Sequence, residues 1–111
     1  MNWINLEAEQ QLAAIKTLSY SKPQLIFKHS TRCSISVMAK NRLDREPATN
    51  LIDSYYLDLL SHRDISNKIA ESFGVVHESP QVLLIKNGEC TYEESHTGIN
   101  MNEILEQASA N

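Results

Sequence analysis

Gln24-Leu25-Ile26-Phe27-Lys28-His29-Ser30-Thr31-Arg32-Cys33-Ser34-Ile35-Ser36 is the stretch on which the reading of this chain turns. Its first five residues make a short, mostly apolar run after Pro23, which suits a buried strand. The polar His29-Ser30-Thr31 reads as a loop, and Cys33 follows at once. From Ser34 to about Glu46 the apolar residues Ile35, Met38, Ala39 and Leu43 recur at helical spacing, and Pro47 closes the segment. Cys33 therefore stands at the start of a helix into which a strand leads.

Working outward, Trp3 to Leu6 can form a short strand, and Glu7 to Ser19 has helix-forming composition with Leu12, Ile15 and Leu18 near one face. Beyond Pro47, Tyr55-Tyr56-Leu57-Asp58-Leu59 reads as a strand, and Ser61 with Asp64 resembles a capping box. The helix so capped carries Ile65, Ile69 and Phe73 at i, i+4 and i+8, and Gly74 is placed to end it. Val82 to Lys86, the turn Asn87-Gly88 and Glu89 to Ser95 make an antiparallel hairpin. Asn100 then caps a last helix with Met101, Ile104, Leu105 and Ala108 on its buried stripe. The order is β-α-β-α-β-α-β-β-α, an α/β class with a parallel first half and an antiparallel end.

At 111 residues the chain has the size of one domain, and 1-111 is read as one unit with a single core. A net charge of −4 and no basic stripe argue against nucleic acid or an acidic membrane surface as partner. The first twelve residues lack a basic segment followed by an apolar run, and nowhere do about 18 apolar residues follow one another. A cytoplasmic location is expected. Two cysteines, Cys33 and Cys90, are too few for a secreted disulfide framework, so both are expected as thiols. His29, His62, His77 and His96 are scattered singly, which gives no metal site.

A thiol at a helix start is more acidic than a free one, because the first-turn amides and the helix dipole favour the thiolate. Lys28, His29 and Arg32 can add positive potential, and Ser36 can turn its hydroxyl to the sulfur or to a first-turn backbone group. Free cysteine is also among the residues most often buried, and C-x-x-S alone is a weak pattern. The strand-cysteine-helix context is what favours reactivity. With serine at the second position no internal disulfide can close, so the chemistry is that of one thiol. Cys90, on the return strand of the hairpin, reads as structural; bridging it to Cys33 would need a Cα separation below ~7 Å.

The chain resembles the thioredoxin superfamily, and closely the monothiol bacilliredoxins, bacillithiol-system redox proteins of the YtxJ type. The likeness runs along essentially the whole chain. It is carried by Phe27-Lys28-His29-Ser30-Thr31-Arg32-Cys33-Ser34-Ile35-Ser36, by Tyr56-Leu57-Asp58-Leu59-Leu60 and by His77-Glu78-Ser79-Pro80-Gln81-Val82. It implies a thioredoxin-like fold, Cys33 as nucleophile with Ser36 beside it, and a cis peptide at Ser79-Pro80 next to the thiol.

The activity implied is removal of bacillithiol, or a similar small thiol, from S-thiolated client proteins. The small thiol is then a co-substrate, and no cofactor or metal is implied. Thr31, Arg32, Ser34, Ser79, Pro80 and Lys28 become the candidate substrate-binding set. Lys28 and Arg32 would meet carboxylates, and Ser79 an extended client backbone. A monomer or weak dimer is expected. Two departures stand out: many relatives have proline where this chain has Ser34, and Phe27 occupies the place of thioredoxin's buried acid. Two other functions fit such a chain: an iron-sulfur carrier that uses one cysteine per subunit, and a non-catalytic module that binds partners beside Pro80.

Overall fold

The structure, a computed structural model, describes residues 1–110. Its elements are β1 (Trp3–Asn5), α1 (Gln10–Leu18), β2 (Gln24–His29), α2 (Ser34–Asp44), β3 (Asp53–Asp58), α3 (Arg63–Phe73), β4 (Gln81–Lys86), β5 (Glu89–Ser95), a 3-10 turn (His96–Gly98) and α4 (Met101–Ser109). The strands form one sheet in the order β1-β3-β2-β4-β5. β1 and β2 each run parallel to β3, whereas β4 is antiparallel to both β2 and β5. This is the expected mixed α/β order. None of the described helices is long and apolar enough to cross a membrane.

β2 lies at the centre of the sheet and is buried along its whole length, so side-chain alternation sorts its residues between two cores. Ile26 joins Leu12 and Ile15 of α1 and Ile65 and Ile69 of α3. Leu25 and Phe27 join Ala39 and Leu43 of α2 and Met101 and Ile104 of α4. The helices thus cover both faces in two pairs, and the edges of the sheet are the short β1 and the longer β5.

Several local signals act as the sequence suggests. Asn87 and Gly88 both have positive φ (53° and 81°), as a tight hairpin turn requires. A Cβ on Gly88 would come within 2.6 Å of the Tyr20 hydroxyl, a second reason for glycine there. Gly74 closes α3 in the left-handed conformation, and the Asn100 side chain accepts the Glu103 N–H at 2.8 Å at the start of α4.

Three expectations need correction. The Ser61/Asp64 capping box does not form: His62 precedes α3 and gives no side-chain cap. The Asp58 carboxylate instead accepts from Leu60 N–H at 3.2 Å and Ser61 Oγ at 3.1 Å, so the turn after β3 takes Ser61 away from the helix. In α2 the side that meets the sheet is Ser36, Ala39 and Leu43, while Ile35 and Met38 are 42% and 60% exposed. Leu18, at the end of α1, is likewise exposed.

Candidate active site

β2 ends at His29, and its last carbonyl accepts the Leu59 N–H at 3.0 Å, so the chain leaves the sheet from a fixed point. A tight turn follows, closed by the Cys33 N–H donating to Ser30 O at 3.2 Å. Cys33 has extended backbone (φ −103°, ψ 120°) and is the cap residue of α2, whose first bond runs from the Val37 N–H to Cys33 O at 2.9 Å. Its side chain is half-buried, and its thiol is free. The first-turn amides of a helix have no partner within it, and Cys33 stands at that end of α2.

The residues named from the sequence fall into three groups. Thr31, Arg32 and Ser34 are exposed around Cys33, in reach of an incoming molecule. Ser79 and Pro80 form the loop before β4: the peptide bond between them is cis, Pro80 is buried, and Pro80 O accepts the His96 N–H at 3.0 Å. Ser79 itself is half-buried, and its hydroxyl has no hydrogen-bond partner among the described residues. Ser36 and Lys28, the third group, lie inside the protein.

Ser36 is fully buried, and its hydroxyl is not a cap for the sulfur. Ser36 Oγ accepts the Ser30 N–H at 2.9 Å and lies 2.7 Å from His29 Nδ1. His29, expected in a polar loop, is a buried strand residue. Its ring is 5.7 Å from both the Phe27 and Tyr56 rings, and Trp3 stacks on Phe27 at 5.5 Å. Burial and the nearby Lys40 push the imidazole below its ordinary pKa, against the pull of Asp58, so the ring is neutral at neutral pH. Alternation along β2 was the available signal: it puts His29 on the Phe27 side, facing α2, where a serine three residues after Cys33 can meet it.

Lys28, one residue earlier, points to the opposite side of the sheet. It is fully buried, its Nζ has no hydrogen-bond partner among the described residues, and burial lowers its pKa to about 8 in spite of Glu78. The expectation of Lys28 as a substrate-binding cation is therefore corrected: this strand residue, paired in register with Leu57 and Gln81, has its charge buried on the other side of the sheet. His77 lies beyond it, with Nδ1 3.4 Å from Ser66 Oγ, and is also held below its ordinary pKa by burial and by Lys28.

Cys90 opposes Ile85, which opposes Gln24, whereas Cys33 follows the other end of β2. The five residue steps of β2 separate the two ends by roughly 16 Å, far outside disulfide range. The Cys90 thiol donates to Tyr92 O at 3.3 Å, and burial pushes its pKa up. It is not a partner for Cys33 within the chain. Among the described residues, no group of three His, Cys, Asp or Glu side chains is gathered to hold a metal ion.

Comparison with solved structures places this geometry among thioredoxin folds. A structure described as a candidate oxidoreductase with a thioredoxin fold is 31% identical, with a TM-score of 0.80 over 94% of this chain and 91% of that one. Thioredoxin from Malassezia sympodialis matches at 16% identity and a TM-score of 0.74, over 98% and 92% of the two chains. Thioredoxin from Trypanosoma brucei brucei, at 9% identity, also gives 0.74, over 96% and 87%. Those two show the fold alone. The family described as monothiol bacilliredoxin BrxC matches residues 4–104, from the first strand to the last helix. With its one thiol at the start of α2 and serine at the second position, the chain belongs to the monothiol bacilliredoxin family.

Proposed function

We propose that this protein is a monothiol thiol-disulfide oxidoreductase that removes bacillithiol, or a similar small thiol, from mixed disulfides on other proteins. The observation that carries the reading is the half-buried free thiol of Cys33 at the cap of α2, with the second motif position filled by a buried serine. The Cys33 thiolate attacks the small-thiol sulfur of the mixed disulfide. The new bond joins Cys33 to the small thiol, and the client cysteine leaves as thiolate. A second small-thiol molecule then attacks that adduct, leaves with the first as a small disulfide and returns Cys33 as thiolate. No electrons are lost or gained by the protein over the cycle.

Recognition follows from what surrounds the sulfur. Arg32 and Thr31 offer a charge and a hydroxyl to a carboxylate-bearing small thiol, and Ser34 lines its approach. The amide and carbonyl of Ser79 take an extended client segment in strand-like fashion. One chain suffices for every covalent step, so a monomer can complete the cycle. A cytoplasmic setting, which keeps both cysteines reduced, suits the chemistry.

The test uses a single-cysteine client carrying bacillithiol, followed by intact mass. The adduct should move from client to Cys33 and leave when free bacillithiol is added. Cys33→Ala should abolish the transfer; full dethiolation by that variant would end this reading.

A further inference from the structure

Although the chain carries a net charge of −4, basic side chains gather on the α3 side of the sheet. A cleft of about 120 Å³ lies there between the first turns of α3 and the segment before β4, lined by Leu59, Arg63, Ser66, Asn67 and His77. The i, i+3, i+4 spacing puts Arg63, Ser66 and Asn67 on one face of α3. Arg63 is exposed and forms no ion pair among the described residues. Ser66 is buried, and its Oγ lies 3.4 Å from His77 Nδ1, a separation long enough to leave both groups polar capacity to spare.

Lys28 does not line the cleft, but its buried, unmatched ammonium acts on His77 through space, as Arg63 does. The acid that opposes them is Glu78, whose carboxylate lies 3.1 Å from His96 Nε2 and outside the cleft. The walls therefore offer N–H and O–H donors in a positive field. A water's share of liquid is ~30 Å³, so the cleft holds about four waters, or one carboxylate with water beside it. It is too small for a drug-sized molecule, whose sites begin near ~300 Å³.

Its place in the fold says what can reach it. The Leu59 N–H donates to His29 O, at the end of β2 from which the chain turns to Cys33, and His77 precedes Ser79 by two residues. The cleft thus opens at the same end of the sheet as the thiol. We propose that it is a specificity site for an acidic side chain of the client, a glutamate or aspartate within a few residues of the thiolated cysteine. The client is favoured as the source because the cleft adjoins the 77–79 segment, beside which its extended backbone is laid, whereas Thr31, Arg32 and Ser34 surround the sulfur. A carboxylate seated there takes charge-assisted hydrogen bonds and offsets the unmatched charge of Lys28 and Arg63. This inference rests on the function proposed above, because it assigns a client residue to the cleft.

The probes are hexapeptides with serine in place of the client cysteine and Glu, Gln or Lys at each flanking position in turn. They are titrated into wild-type protein while the His77 ring signals are followed by NMR. At one position Glu should shift those signals saturably and bind about fivefold tighter than Gln. The titration midpoint of His77 should rise in that complex, because the carboxylate counters the two cations. In Arg63→Gln, folded by circular dichroism, the preference for Glu should vanish. Equal affinity for Glu and Gln peptides, an unchanged midpoint, or a preference that survives Arg63→Gln overturns the proposal. So does a shift of the same signals by free bacillithiol with none from the peptides, which assigns the cleft to the small thiol. These peptides exchange no thiol, so an inability to dethiolate clients would end the proposed function without producing any of these results.

Discussion

Lys28 and His29 are neighbours at the end of one strand, and the two faces of the sheet treat them in opposite ways. On the α2 side, His29 is buried among aromatic rings with its Nδ1 matched to Ser36. On the α3 side, Lys28 is buried with its ammonium unmatched. Both are polar groups withdrawn from water, and both have their pKa lowered by burial. The difference teaches that burial is tolerable on one face because hydrogen bonds replace water, and is a standing penalty on the other.

The largest effect expected from breaking this contrast is a gain. Lys28→Met keeps the length of the side chain and removes the buried charge, so it should stabilise the protein. For a base whose folded pKa is about 8 against an ordinary 10.5, the difference corresponds to about 3 kcal/mol. The sign is fixed by linkage: the penalty is full below pH 8 and fades between 8 and 10.5, where the folded chain sheds its proton before the unfolded one does. Urea unfolding at pH 7 and pH 10 should show the advantage of the variant shrinking. A variant less stable than wild type at pH 7 would mean that Lys28 has a partner in solution.

Ser36→Ala should cause a smaller change in the opposite direction, a loss of about 1–3 kcal/mol, because it strands the Ser30 N–H and one ring nitrogen in a buried place. The same substitution at Ser34, which is exposed, should change stability by less than ~0.5 kcal/mol. The smallest effect is on the acid side. His29 resists protonation when folded, so stability should fall as the pH drops below its ordinary pKa of 6.5, where the unfolded chain takes the proton first. His29→Gln should flatten that part of the stability-pH curve, and an identical slope would show that His29 is not its source.

Much of the architecture was legible because its signals are local. The apolar run of β2, the Asn87-Gly88 turn, Gly74 and the Asn100 cap each act within a few residues of themselves. What was not legible depends on long-range pairing. His29 looks like a loop residue until β3 is set beside it, with His29 in register with Asp58. Ile35 and Met38 satisfy a helical period as well as Ala39 and Leu43 do, and only the position of the sheet decides which of them are buried. Ser36 was singled out for its place relative to Cys33, but its partner is on a different element. Lys28 looked like a cation for substrate because its charge was read without its strand direction.

β5 leaves one long side of the sheet open, and its sequence answers the hazard this creates. Three of its seven residues, Glu89, Glu93 and Glu94, are acidic, and its register with β4 slips between Leu84 and Ile85. An extended chain that tried to add itself along this edge would meet clustered negative charge and an irregular ladder, the features by which natural sheets resist aggregation. Under the function proposed above, such a border would keep extended clients from pairing along β5.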